Sequence, residues 1–209
     1  MPAARESLLD AARSALADRP WSAVRMVEVA ASAGVSRQTL YNEFGGKDGL
    51  ARALVRREAD GFLAGIERTL AGGGEPRDRL TAAVEWTAAV ARGNPILRAM
   101  LTGCWSERLP TPALSGVPSS SAVPAQRRAD GPLPSPGDFV RIVRDRVLAS
   151  LTAPDAALTG GADRSRQGSA ELTRSCELVV RLALSCVAAP PAEGQVAELV
   201  RDALHRRPV

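Results

Sequence analysis

Apolar residues recur along most of this chain at three- and four-residue steps, the period of a helix with one buried face. No segment alternates apolar and polar residues as a half-buried strand does. Leu8, Leu9, Ala12 and Leu16 predict a first helix from about Arg5 to Ala17. Leu50, Leu54, Phe62, Ile66 and Leu70 predict a long helix that opens at Lys47 and stops at Gly72-Gly73-Gly74. Leu80, Ala83, Val84, Thr87 and Ala91 predict another over Pro76 to Arg92. Asn94 is then placed to cap a helix with Pro95 in its first position, and Leu97, Met100, Leu101, Cys104 and Trp105 are expected on one face of it. Further helices are expected over Asp138 to Leu151, over 169–188 and over 193–206, the last two separated by Pro190-Pro191. The stretch 109–137 holds seven prolines and is expected to be a flexible loop, with a second loop at Gly160-Gly161.

Two short helices are expected between Arg25 and Glu43, joined by a tight turn. Gly34 suits the positive φ that ends the first, and Ala30, four residues earlier, lets the helices approach closely. Ser36 is placed to cap the second through its hydroxyl. With Val29, Val35, Leu40 and Phe44 inward, Arg37, Gln38, Thr39, Tyr41 and Asn42 are left outside, a polar face suited to recognition.

The run Val29-Ala30, Ala33-Gly34-Val35-Ser36, Thr39-Leu40-Tyr41, Phe44, Lys47 and Leu50 resembles the DNA-binding domain of the tetracycline-repressor (TetR) family of bacterial regulators. The resemblance departs from the family pattern at Pro20, at Arg25, where the family carries a Ser or Thr cap, and at Gln38, where a small residue is usual. It implies an all-α protein with an N-terminal three-helix helix-turn-helix domain over 1–46 and a helical ligand-binding and dimerisation domain over 47–209. The second helix of such a motif lies in the major groove while flanking groups grip phosphates. Arg37 would then reach guanine O6 and N7, and Gln38 adenine N6 and N7. Thr39 would meet a thymine methyl or a phosphate, Asn42 a base or a phosphate. Tyr41 and Lys47 match phosphate-gripping positions of relatives, Arg25 is a further phosphate candidate, and Ser36 completes the expected DNA-binding set.

The resemblance also implies a homodimer through the helices near 169–188 and 193–206. Helix 169–188 carries Leu172, Cys176, Val179, Val180, Ala183, Leu184 and Val187 on one stripe and Leu178, Leu182 and Cys186 on a second, which calls for two packing partners. The family binds a small molecule within the larger domain. Trp86, Val90, Met100, Trp105, Phe139 and Val143 are the candidate lining residues, and the scarcity of charge on these faces favours an apolar effector.

Composition changes little. The net charge is +4, but residues 1–60 hold nine basic and eight acidic side chains, so any DNA affinity depends on where charges point. Lys47 is the one lysine. No apolar run approaches the roughly 20 residues of a membrane span. Cys104, Cys176 and Cys186, odd in number and widely spaced, are expected as reduced thiols, and a cytoplasmic location is expected. With His205 the one histidine, no Ser/His/Asp grouping, metal-ligand spacing or phosphate loop is visible, so neither an enzyme nor a bound cofactor or metal is expected. Two other readings stay open: a regulator that senses oxidants through its cysteines, and a helical scaffold without DNA binding. Repressor and activator are indistinguishable at this level, although a ligand-responsive repressor is the reading favoured.

Overall fold

The computed structural model describes residues 2–110, 135–151, 162–192 and 194–205. Within them the chain forms α1 (Pro2–Asp18), a single 3-10 turn (Trp21–Ala23), α2 (Met26–Ser32), α3 (Arg37–Phe44), α4 (Lys47–Leu70), α5 (Pro76–Gly93), α6 (Pro95–Thr102), α7 (Pro136–Leu151), α8 (Ala162–Ala188) and α9 (Gln195–His205). No strand occurs among the described residues, so the expected all-helical class holds. Most of the loop expected over 109–137, and the one expected at Gly160-Gly161, lie outside the described residues. At the described margin Pro136 already opens α7, where its fixed φ suits the first helical turn.

The described residues divide into two compact units. One takes in the chain up to Asp60 together with the segment from Cys104 to Pro110. The other takes in Gly61–Gly103 and the described residues from Ser135 onward. The helix α4 runs without a break through the boundary at Asp60.

In the first unit α1 packs on α2 and α3. Leu8, Leu9 and Ala12 of α1, Val29 and Ala30 of α2, Leu40 and Phe44 of α3 and Leu50, Ala51 and Leu54 of α4 are the buried apolar residues of this unit's helices. Val35 is half-buried rather than inward. Two ion pairs tie the helices at their rims: Arg19 on Glu28 at 2.6 Å and Arg57 on Asp10 at 2.6 Å. The segment after α6 belongs to this unit as well. The Trp21 N–H donates to the Arg108 carbonyl at 2.9 Å, and Pro110 is fully buried.

That segment overturns one expectation. Gly103 takes φ +75, a left-handed conformation open to glycine, and its N–H closes α6 on the Ala99 carbonyl. Cys104 and Trp105 therefore do not extend the face of α6 begun by Leu97, Met100 and Leu101. Cys104 is exposed, and Trp105 lies in the first unit. The start of α6 is as expected, with the Leu97 N–H donating to Asn94 Oδ1 at 3.0 Å and Pro95 in the first turn.

In the second unit α5 lies against α6, α8 and α9, and α8 also packs on α6, α7 and α9. Phe62 stacks on Trp86 with ring centroids 5.7 Å apart and meets Phe139 edge-on at 6.5 Å. Gly65 makes room for that stack, since a Cβ there would lie 2.1 Å from the Trp86 ring. Along α8, Cys176, Val179, Val180, Ala183 and Val187 are buried. Cys186 is buried too, rather than lying on the outer stripe, because seven residues is nearly two full turns and returns it to the face of Val179. The outer stripe is left with Leu178, 48% exposed, and the half-exposed Leu182. On α9 Val196 and Val200 face inward while Leu199 is 43% exposed.

Candidate nucleic-acid interface

The turn between α2 and α3 is built as its residues dictate. Gly34 takes φ +68, and the Val35 N–H returns to the Ala30 carbonyl at 3.0 Å, which needs the close approach that Ala30 permits. Ser36 caps α3: its Oγ accepts the Thr39 N–H at 3.0 Å and lies 2.9 Å from Thr39 Oγ1. Gly45, at φ +70, ends α3 by donating its N–H to the Tyr41 carbonyl. With Leu40 and Phe44 buried, helical periodicity sends the intervening side chains outward.

Arg37, Gln38 and Asn42 are exposed, Tyr41 is 43% exposed, and Thr39 is half-buried beside the cap. Gln38 Nε2 donates to Asn42 Oδ1 at 2.8 Å across one helical turn. The pair still offers the Gln38 carbonyl as acceptor and the Asn42 amide as donor, so two neighbouring side chains present one fixed acceptor–donor pattern. Arg5, 4.8 Å from the Phe44 ring centroid and 3.8 Å from the Glu43 carboxylate, braces the far end of the same helix.

Arg25 flanks this face at the N-cap of α2. Its side chain is exposed and makes no capping bond, while its backbone carbonyl accepts the Glu28 and Val29 N–H groups. Lys47 opens α4, and its ammonium donates to the Ser22 carbonyl at 3.0 Å and lies 5.5 Å from the Trp21 ring centroid. Partial burial lowers its pKa, offset in part by the neighbouring Asp48 carboxylate. Lys47 thus fastens the 3-10 turn to α4, a structural duty that spacing alone did not disclose. A second surprise is Val27, 44% exposed on α2. Its signal was available, since Val27 falls out of phase with the inward pair Val29 and Ala30.

The candidate effector residues divide. Phe139 and Val143 line a cavity in the second unit, together with Phe62, Ile66, Val84 and Val180 among others. Trp86 backs that cavity through Phe62, with which it stacks. Val90 and Met100 are not among its lining residues, and Trp105 belongs to the other unit. Among the described residues no group of three or more His, Cys, Asp or Glu side chains could hold a metal ion, and no helix is long and apolar enough to cross a membrane.

Buried in apolar surroundings, the Cys176 thiol is pushed up to about 11, and burial raises Cys186 as well. Such thiols supply little of the thiolate that reacts with oxidants. The cysteine-sensor reading therefore loses its two helix α8 candidates.

Residues 8–54 match the family model described as bacterial regulatory proteins, tetR family. Over 100 residues the chain is 38% identical to the HTH-type transcriptional regulator AlkX of Mycobacterium tuberculosis, which is 47% of each protein. Over 81 residues it is 40% identical to the HTH-type transcriptional activator FasR of Mycolicibacterium smegmatis, 39% of this chain and 37% of that one. The matched region thus spans about half or less of each relative's length. The fold is similar to that of the TetR family repressor AlkX from Dietzia sp., implicated in biodegradation of n-alkanes. That structure has a TM-score of 0.53 at 20% identity, over 95% of this chain and 92% of the other. It is similar also to a tetR-family transcriptional regulator from Streptomyces coelicolor, with a TM-score of 0.52 at 17% identity over 98% and 78%.

Proposed function

We propose that this chain, whose residues 8–54 match the tetR family model, is a TetR-type, sequence-specific DNA-binding transcriptional regulator. In this reading it acts as a ligand-responsive repressor and as a homodimer. The observation that carries the reading is the outer face of α3. Arg37, Gln38, Tyr41 and Asn42 stand exposed on a helix whose start is fixed by the Ser36 cap and whose end is fixed by Gly45. Rigid presentation of polar groups that keep donors and acceptors open to solvent is what base recognition requires.

The residues take separate roles. Arg37 and the Gln38–Asn42 pair read base edges. Tyr41, Thr39, Arg25 and the α4 N-terminus at Lys47 grip phosphates, and Lys47 also holds the Trp21 turn in place. The exposed Leu178 and Leu199, with Leu182, form the apolar surface through which α8 and α9 pair with a second copy. Pairing sets two copies of α3 about 34–36 Å apart, matching successive major grooves. An effector in the second unit that favours another spacing lowers DNA affinity by its differential affinity for the two states. The family's members are transcription regulators, and the reading assigns this chain no catalytic activity and a place in the cytoplasm.

The test uses an operator selected from random DNA by the wild-type protein. Tyr41→Ala should weaken binding to every sequence alike, by about tenfold for each half-site, the worth of one hydrogen bond from a neutral hydroxyl to a phosphate. Gln38→Ala should instead change the selected sequence at one position of each half-site. Unchanged affinity in Tyr41→Ala together with an unchanged selection in Gln38→Ala would remove α3 as the reading helix.

A further inference from the structure

We infer that the cavity of the second unit is built for an electrically neutral, hydrocarbon-like effector and rejects carboxylates. The inference rests on the ligand-responsive reading and goes further by naming the chemistry of the ligand. The cavity lies among α4, α5, α6, α7 and α8, walled by Phe62, Ile66, Val84, Leu101, Phe139 and Val143 among others. Among the described residues that line it, none is ionisable and only Thr87 carries a polar side-chain atom. That hydroxyl is already committed, donating to the Ala83 carbonyl at 2.7 Å. A carboxylate drawn in here would lose its water and find neither a cation nor an uncommitted donor among these described side chains, and a buried unpaired charge is strongly disfavoured.

The cavity measures about 30 Å³, room for only a water or two. Being apolar, it gives water no partner and stays dry, as apolar cavities in general do. Its walls on α5, α7 and α8 are mostly small or β-branched: Ala83, Val140, Val147, Val179 and Ala183 do not interlock as longer side chains would. Val140 on α7 and Leu184 on α8, which line the cavity, are half-exposed, so a slender molecule has the shortest way in between these two helices. A hydrocarbon larger than the resting void must part these helices as it enters. It therefore binds the parted state in preference to the resting one, the differential affinity that an effector needs.

The test is uptake of n-octane from the headspace by the full chain, alongside equilibrium dialysis of octanoate at about pH 8, where its carboxyl is ionised. Saturable uptake of octane is expected, with octanoate weaker by at least about a hundredfold. Ala83→Leu, which fills the void, should abolish octane uptake. Val143→Ala, which enlarges it, should tighten uptake several-fold and serves if the first variant fails to fold. Octanoate binding as well as octane, no octane uptake up to its solubility limit, or uptake unchanged in both variants would overturn the inference. The assay contains no DNA, so its failure leaves the regulator reading standing, and loss of operator binding leaves the cavity assignment standing.

Discussion

Gly49 lies in the first turn of α4, and a Cβ at that position would stand 1.7 Å from the Phe44 carbonyl oxygen and 2.8 Å from its carbonyl carbon. Ordinary contacts of a Cβ begin near 3.4 Å, so the nearest atom lies at half the distance required. That atom is the backbone of the last residue of α3 and cannot rotate aside. Gly49→Ala must therefore push the start of α4 off the end of α3. Overpacking of this kind costs about 1–3 kcal/mol, and the upper half of that range applies because backbone must move. The better helix propensity of alanine offsets up to about 1 kcal/mol. A net loss of about 2 kcal/mol is expected, read as a lower urea midpoint by circular dichroism. Gly61 is the control on the same helix: it is exposed, and a Cβ there meets nothing within 4 Å. Gly61→Ala should stabilise by about 0.5–1 kcal/mol. A Gly49→Ala midpoint equal to or above that of the wild type would refute the claim that α3 and α4 touch backbone to backbone.

Three further predictions follow from single contacts. Ser36→Ala removes the acceptor for the Thr39 N–H and should cost about 1 kcal/mol in urea unfolding, with Ser36→Asp restoring most of it. Folding holds the proton of Cys176 more tightly than the unfolded chain, whose thiol keeps its usual value of 9.0 against about 11 when folded. The contribution is therefore complete below about pH 9 and is lost as pH rises toward 11; Cys176→Val should flatten that part of the wild-type stability curve. Lys47→Met loses the bond to the Ser22 carbonyl as well as the charge. It should lower the stability of the wild-type protein by about 1 kcal/mol in addition to weakening DNA binding, separating it from Tyr41→Ala, which should change binding alone.

The exposed polar face of α3 was legible because every link in it is local. Gly34, Ser36 and Gly45 set the ends of helices within a few residues of themselves, and the inward pair Leu40 and Phe44 fixes by period which side chains face out. The helices of the second unit were legible for the same reason, down to the Asn94 cap and Pro95, except that α8 starts at Ala162 rather than near 169, ahead of its first apolar stripe. What the sequence concealed depends on partners distant along the chain. Lys47 meets Ser22, 25 residues away, and the Trp21 N–H meets Arg108. Trp105 followed the apolar period of α6, but the left-handed Gly103 carried it out of the helix. Of the effector candidates, Phe139 and Val143 line the cavity, whereas the lining side chains of α8 needed the helices assembled before they could be named. Cys186 is a different case: the seven-residue step from Val179 returns it to the buried face, so the helical period itself carried that placement.

A footprint of the purified protein on DNA from around its own gene, with random DNA as competitor and across a salt series, decides whether α3 reads sequence. A sequence-specific dimer should give a complex that survives competition and protects two half-sites about one helical turn or a multiple of it apart, placed as a dimer would place two copies of α3. Protection confined to weak binding, equal on all sequences and lost as salt rises, on both this DNA and a randomised pool, would contradict it.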